Sequence, residues 1–207
     1  MLGDVLVLGV LLGVGAALSV GPIFVTILHE AATRGFGASM RVVLGSAVAD
    51  LVLLLPALAL SQVIAAIAGA SRWVGLVGAV FLLGLAGLAG RDARRLWGGQ
   101  LPEPTSGWAF WKGVLANLVN PLTWTFWLVT GTPAMLGAQR AGGVAGLVLF
   151  TVTWFVVASG LEGLVALGVA RSGRRIGPRG QGVLSGLSAL VFLGLAGVLL
   201  ATTVLAA

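Results

Sequence analysis

The stretch Asn117-Leu-Val-Asn-Pro-Leu-Thr-Trp-Thr-Phe-Trp127 (NLVNPLTWTFW) lies in an uncharged run from 113 to 139. It sets two asparagines and a proline where the chain otherwise reads as apolar helix. A second stretch, SVGPIFVTIL from Ser19 to Leu28, repeats the oddity with a Gly-Pro pair. A proline inside a helix removes one hydrogen bond and clashes with the carbonyl four residues back, at ~3 kcal/mol in a soluble helix. In lipid, the freed carbonyl must find a partner in protein or in a water-filled cavity. The reading of both stretches therefore turns on which solvent surrounds the chain.

The composition answers that. Of 207 residues, 58% are hydrophobic and 9% charged, with a mean hydropathy of +1.10. A soluble domain carries about 25% charged residues. A chain this apolar has too little polar surface to face water, so its solvent is the bilayer. It has no cysteine, which excludes disulfides, thiolate metal sites and thiol redox chemistry. The net charge of +6 comes from arginines scattered between apolar runs, a pattern that sets membrane topology and does not point to nucleic acid. The N-terminal run MLGDVLVLGVLLGVGAALSV has no Lys or Arg ahead of its apolar part and carries Asp4, so it reads as a retained first span.

Crossing the hydrocarbon core takes about 20 apolar residues. Residues 5–28, 73–90, 113–139 and 180–207 are uncharged; 40–60 and 143–169 are equally apolar but carry the single acids Asp50 and Glu162. The expectation is an all-α integral membrane bundle of six helices. Residues 61–71 either extend a neighbouring helix or lie along the interface. Ten of the twelve cations fall in loops one (Arg34, Arg41), three (Arg91, Arg94, Arg95, Lys112) and five (Arg171, Arg174, Arg175, Arg179). The positive-inside rule then makes those loops cytoplasmic and both termini external, in a cell (inner) membrane. The third loop, with Gly98-Gly99 and Pro102-Glu-Pro104, divides the chain into 1–90, a linker 91–109, and 110–207. Three spans per half gives the halves opposite orientations, as in inverted-repeat transporters.

The two breaks lie at matching depth: Pro22 is seven residues before His29, and Pro121 nine after Lys112. A shared polar cavity would satisfy both. Asn117 and Asn120 share one helix face, where their amides satisfy carbonyls freed by Pro121, reach a substrate, or both. Asp50 is nine residues beyond Arg41, and Glu162 nine before Arg171, so each sits about 13–14 Å from the cytoplasmic cations. An acid at mid-membrane costs roughly 2.5–3.5 kcal/mol and is a functional-site hypothesis by default. Asp50 is the stronger candidate; Glu162 has a side chain long enough to snorkel. Asp4, Glu30, Asp92 and Glu103, at helix ends or in loops, read as solvated, and His29 as interfacial.

Trp73, Trp97, Trp108 and Trp111 read as interfacial anchors. Trp124 and Trp127 share a face; with Trp154 they are packing residues or a cation–π wall for an amine. The pairs Gly9/Gly13, Gly142/Gly146 and Gly182/Gly186 permit close helix approach, within the bundle or across a homodimer.

Gly21-Pro22, RGFGASMRVVLGSAVAD (Arg34 to Asp50) and GVLANLVNP (Gly113 to Pro121) together resemble the lysine-exporter (LysE-type) superfamily of amino-acid efflux transporters, including its homoserine/threonine branch. The resemblance covers nearly the whole chain. It implies six helices, with function centred on Gly21, Pro22, Asp50, Asn120 and Pro121. The chain departs from the family pattern at Val20, where Pro-Gly-Pro has its first proline, and at Leu122, where a lysine follows Asn-Pro. A substrate carboxylate must find another partner here.

The leading expectation is a secondary-active, proton-coupled exporter of small amino acids or related metabolites, with no cofactor and no metal. Its substrate and proton pathway runs past Gly21, Pro22, Asp50, Asn117, Asn120, Pro121, Trp124 and Glu162. An intramembrane enzyme needs a nucleophile–base pair or a metal cluster, which one His and no Cys do not supply. A membrane scaffold or assembly factor is the alternative; it has no use for two intramembrane acids beside broken helices.

Overall fold

The structure, a computed structural model, describes residues 2–19, 21–59, 61–100, 107–120, 123, 124 and 126–205. Every regular element among the described residues is helical. In hydrocarbon a segment must satisfy its own backbone, and a helix does so. In chain order α1 is Leu2–Ala17, α2 Pro22–Arg34, α3 Phe36–Ala59, α4 Ser61–Trp97 and α5 Ala109–Leu118. A π-helical turn, Phe126–Gly131, then leads into Thr132–Leu205. That last stretch leaves helical backbone angles at Gly142-Gly143 and again at Gly177. It therefore has three arms: α6 (132–141), α7 (144–176) and α8 (178–205).

By length and composition, Phe36–Leu54, Thr132–Ser172 and Gly177–Val198 are each long and apolar enough to cross a membrane. The α1–α2 pair, bent by 66°, adds a fourth if it counts as one span. Residues 61–71 belong to α4, which settles them as an extension of the third expected span. The same helix runs on from Gly90 to Trp97, so the start of the expected linker is helical and Asp92 sits on a helix.

The proline at 22 does not kink a helix. One helix ends at Ala17 and a new one begins at Pro22, with Gly21 as its N-cap residue in extended conformation. A proline at the first helical position loses nothing, because its missing N–H is one the helix start could not use, and its φ is already helical. The freed end of α1 is tightened by Leu18 N–H to Val14 O and Ser19 N–H to Ala16 O.

Three apolar clusters hold the bundle. The first joins Val5 of α1, Leu53 and Leu54 of α3, Trp127 of the π turn, Met135 and Ala138 of α6, and Phe150 and Trp154 of α7. The second joins Ile23, Ile27 and Ala31 of α2 to Val42 and Val43 of α3, Ala109 and Ala116 of α5, and Ala166 and Ala170 of α7. The third packs α4 against α8 and Val25 of α2. Small residues set the spacing. A Cβ on Gly45 or Gly113 would collide with the backbone carbonyl of Phe110 or Val42, so α3 and α5 cross with their backbones in contact. Gly9 and Gly13 likewise press α1 onto Thr153, Trp154 and Val157 of α7, so that pair serves packing within the chain. Gly142 sits at a helix break and also lets Leu2 of α1 approach at a distance a Cβ would forbid, while a Cβ on Gly146 would collide with the Ala138 carbonyl.

Candidate functional site

Between the first and second clusters lies a cavity of about 260 Å³. Its walls are the end of α1 (Leu12, Gly15, Ala16, Ser19), Gly21 with Ile23 and Phe24 of α2, and Ser46, Ala47 and Asp50 of α3. The α5 break contributes Asn117, Asn120 and Thr123; Phe126, Thr130, Trp154, Ala158, Ser159 and Glu162 complete it. Of the residues singled out in the sequence, Gly21, Asp50, Asn117, Asn120 and Glu162 thus line one cavity. Pro22 is buried beside the cavity as the first residue of α2 and does not line it. Pro121 lies outside the described residues.

Each half of the site is organised by its helix break. At α5, the Asn117 side-chain amide donates to Ser46 O of α3 at 2.8 Å and accepts from Thr123 Oγ1 at 2.6 Å. Asn120 Nδ2 donates to Thr123 Oγ1 at 3.0 Å. The Asn117 carbonyl, the one a proline at 121 frees, accepts from Asn120 N–H at 3.1 Å. The asparagines therefore serve the break itself, and reach across to α3, while still lining the cavity.

At the α2 break the polar groups are backbone amides. Val25 N–H already reaches Gly21 O, and Gly21 has no side chain to cap the helix. The N–H groups of Ile23 and Phe24 therefore have no acceptor within the helix. Both residues line the cavity. This is the positive end of the α2 dipole.

Two acids line the cavity as well. Asp50 is 9% exposed and its Oδ1 accepts from Trp127 Nε1 at 2.8 Å. Glu162 of α7 lines the same cavity. Among the described residues no Lys or Arg lines the cavity. Nor can the neighbouring positions outside the described residues supply one, since 20, 121, 122 and 125 are Val, Pro, Leu and Thr.

The tryptophans divide differently from the sequence expectation. Trp124 is not on the cavity wall; its Nε1 donates to Leu118 O at 2.6 Å and caps the end of α5. Trp127 is the partner of Asp50. Trp154 is the one that faces the cavity, stacked on Phe126 with ring centroids 5.4 Å apart. Trp97, Trp108 and Trp111 are more than half exposed, as anchors at an interface are.

A second polar group was misread in the sequence. Glu30, Asp92 and His29, expected at solvated or interfacial positions, are all buried, Glu30 completely. Glu30 Oε1 pairs with Lys112 Nζ at 2.6 Å and with Arg34 at 3.1 Å. Asp92 Oδ2 pairs with Arg34 at 2.7 Å and with His29 Nε2 at 3.1 Å. Burial pushes the Asp92 carboxyl up, but the His29 hydrogen bond and the Arg34 charge outweigh it and hold Asp92 below the usual range. It is an anion at neutral pH. Spacing could not have found this group, because its members come from α2, α4 and α5. Asp4 is exposed, as expected, and Glu103 lies outside the described residues.

The fold is that of a multi-pass helical membrane protein with a cavity at two helix breaks, lined by both apolar and polar residues. The chain is a member of the LysE type translocator family, whose sequence model matches residues 14–203. No curated protein and no solved structure matches it.

Proposed function

We propose that this protein is a secondary-active, proton-coupled exporter of small amino acids or related metabolites. It would cross the cell membrane six times as two oppositely oriented three-helix halves, residues 1–90 and 110–207, with both termini outside and the arginine-rich loops in the cytoplasm. Whether it works alone or as a homodimer does not alter the site. What supports the proposal is a single cavity lined both by the acids Asp50 and Glu162 and by Ile23 and Phe24, whose N–H groups at the start of α2 have no acceptor within the helix.

A zwitterion fits such a site. Its ammonium pairs with the acids, while its carboxylate meets the start of α2, an interaction worth about 0.3–1 kcal/mol when exposed and up to ~2 when partly buried. That arrangement replaces the lysine the family carries where this chain has Leu122. The same acids support coupling. A proton and an ammonium compete for Asp50, so loading one favours release of the other.

Asp50→Asn in reconstituted vesicles tests this. As a coupling site, the variant still binds and exchanges substrate yet fails to concentrate it against a gradient. As a binding site, it loses affinity. Wild-type gradient-driven transport by Asp50→Asn would remove Asp50 from both roles and leave Glu162 as the candidate.

A further inference from the structure

The buried ionic group formed by His29, Glu30, Arg34, Asp92 and Lys112 does not line the cavity. Glu30 is about 12 Å along α2 from Pro22, and the packed cluster of Ile27, Ala31, Val42 and Val43 lies in the same half of the bundle. Yet it is tied to the cavity mechanically. α2 begins at Gly21, on the cavity wall, and ends in this group. It is bounded by Gly21 and by Gly35, whose φ of 84° favours glycine, so both ends can turn while the helix stays rigid. Among the described residues, the ion pairs between elements run from α2 outward: Glu30 to Lys112 of α5, and His29 and Arg34 to Asp92 of α4.

We infer that this group is the latch of the cytoplasmic gate, pinning α2 to α4 and α5 and closing the cavity on the arginine-rich side. The inference rests on the export reading for which side is cytoplasmic. Buried ion pairs suit a latch because they are close to neutral in stability: desolvation offsets much of their attraction. When the gate parts and water enters, each charge regains its hydration, so the open state is not prohibitive. An apolar seal has no such compensation. The unfinished satisfaction of the group points the same way. Glu30 Oε2 and His29 Nδ1 are buried with no partner among the described residues, so the group is not a fully satisfied static network. Packed helices with two discrete arrangements of such contacts are what alternating access needs.

The test uses Ser46→Cys, a near-isosteric thiol on the cavity wall of a chain that has no cysteine of its own. A membrane-impermeant maleimide is applied to each side of oriented vesicles in separate runs. With the latch intact, labelling from the arginine-rich side should be at least tenfold slower than from the opposite side. Glu30→Gln, Asp92→Asn and Lys112→Met, each added to Ser46→Cys, should raise the rate from the arginine-rich side at least tenfold. Equal rates from the two sides with the latch intact would overturn the inference. So would any of the three variants that is folded by its elution and melting profile and labels at the unaltered rate, or a rise confined to the opposite side. Labelling needs no substrate. The export reading fails separately, if the wild-type chain transports nothing down any gradient.

Discussion

Trp127 Nε1 donates a 2.8 Å hydrogen bond to Oδ1 of Asp50, from a π-helical turn to a helix 77 residues earlier in the chain. The indole is 2% exposed and is held by its neighbours. It meets Trp154 edge-on at 4.9 Å and Phe126 at 5.3 Å. Gly131 has no Cβ because the Trp127 ring occupies that space. The π turn thus aims one donor at the acid on which the proposed coupling depends.

Trp127→Phe keeps most of the ring and removes the donor. A hydrogen bond contributes about 0.5–1.5 kcal/mol when its partner is neutral and 1.5–3 when it is charged. With Asp50 charged, initial transport rates in vesicles should fall by about tenfold or more, and the melting temperature should drop by several degrees because the same bond is lost from the folded state. Unchanged transport would mean that Asp50 is positioned by other contacts.

The α3–α5 crossing gives a packing prediction. Gly45→Ala or Gly113→Ala drives a methyl into a backbone carbonyl, which cannot move aside as a side chain can. Overpacking of this kind costs typically 1–3 kcal/mol. Each variant should melt several degrees lower in detergent. Gly87→Ala, where a Cβ meets open space, is the control and should melt no lower than wild type. Equal melting of all three would show that the helices separate at little cost.

Much of the site was legible because lipid makes polar residues conspicuous. Pro22 and the Asn117–Pro121 stretch announced interruptions, and the distance of Asp50 and Glu162 from flanking arginines placed both acids at one depth. What the sequence could not convey was partnership across the bundle. Glu30 looked solvated because it closes an apolar run; its burial depends on Lys112, 82 residues away, and on α4 continuing far enough to bring in Asp92. Trp124 and Trp127 share a face in the sequence, but Trp124 precedes the π turn and Trp127 lies within it, and one caps α5 while the other holds Asp50. Pro22 was legible as a break but not as a helix start, because that depends on Gly21 adopting an extended conformation.

Orientation can be tested without any knowledge of substrate. With ten of the twelve cations at or near the three connections expected to be cytoplasmic, a reporter fused at Ala207 should be active as an external domain and silent as a cytoplasmic one. Fusions after Ala141, in the fourth loop, should behave the same way, and fusions near Gly99 the opposite way. A cytoplasmic signal at Ala207 would invert the topology, and with it the side on which the gate is sought.

The two-pole reading of the cavity makes its own prediction about ligand chemistry. Take whichever amino acid proves to be transported, and compare it as a competitor with its amide, which lacks the carboxylate, and its N-acyl derivative, which lacks the ammonium. If the ammonium meets Asp50 and Glu162 while the carboxylate meets Ile23 and Phe24 N–H, both derivatives should compete less well. The amide should lose the smaller factor, since a helix start contributes up to ~2 kcal/mol and about 1.4 kcal/mol is tenfold. In Asp50→Asn the penalty for N-acylation should shrink, because the charge it deprives of a partner is already gone. The penalty for the amide should persist unchanged, since its partner lies at the other pole. Interaction terms of this kind are meaningful only between groups in contact. If Asp50→Asn abolishes both penalties equally, or neither, the substrate does not lie across the cavity from α2 to Asp50.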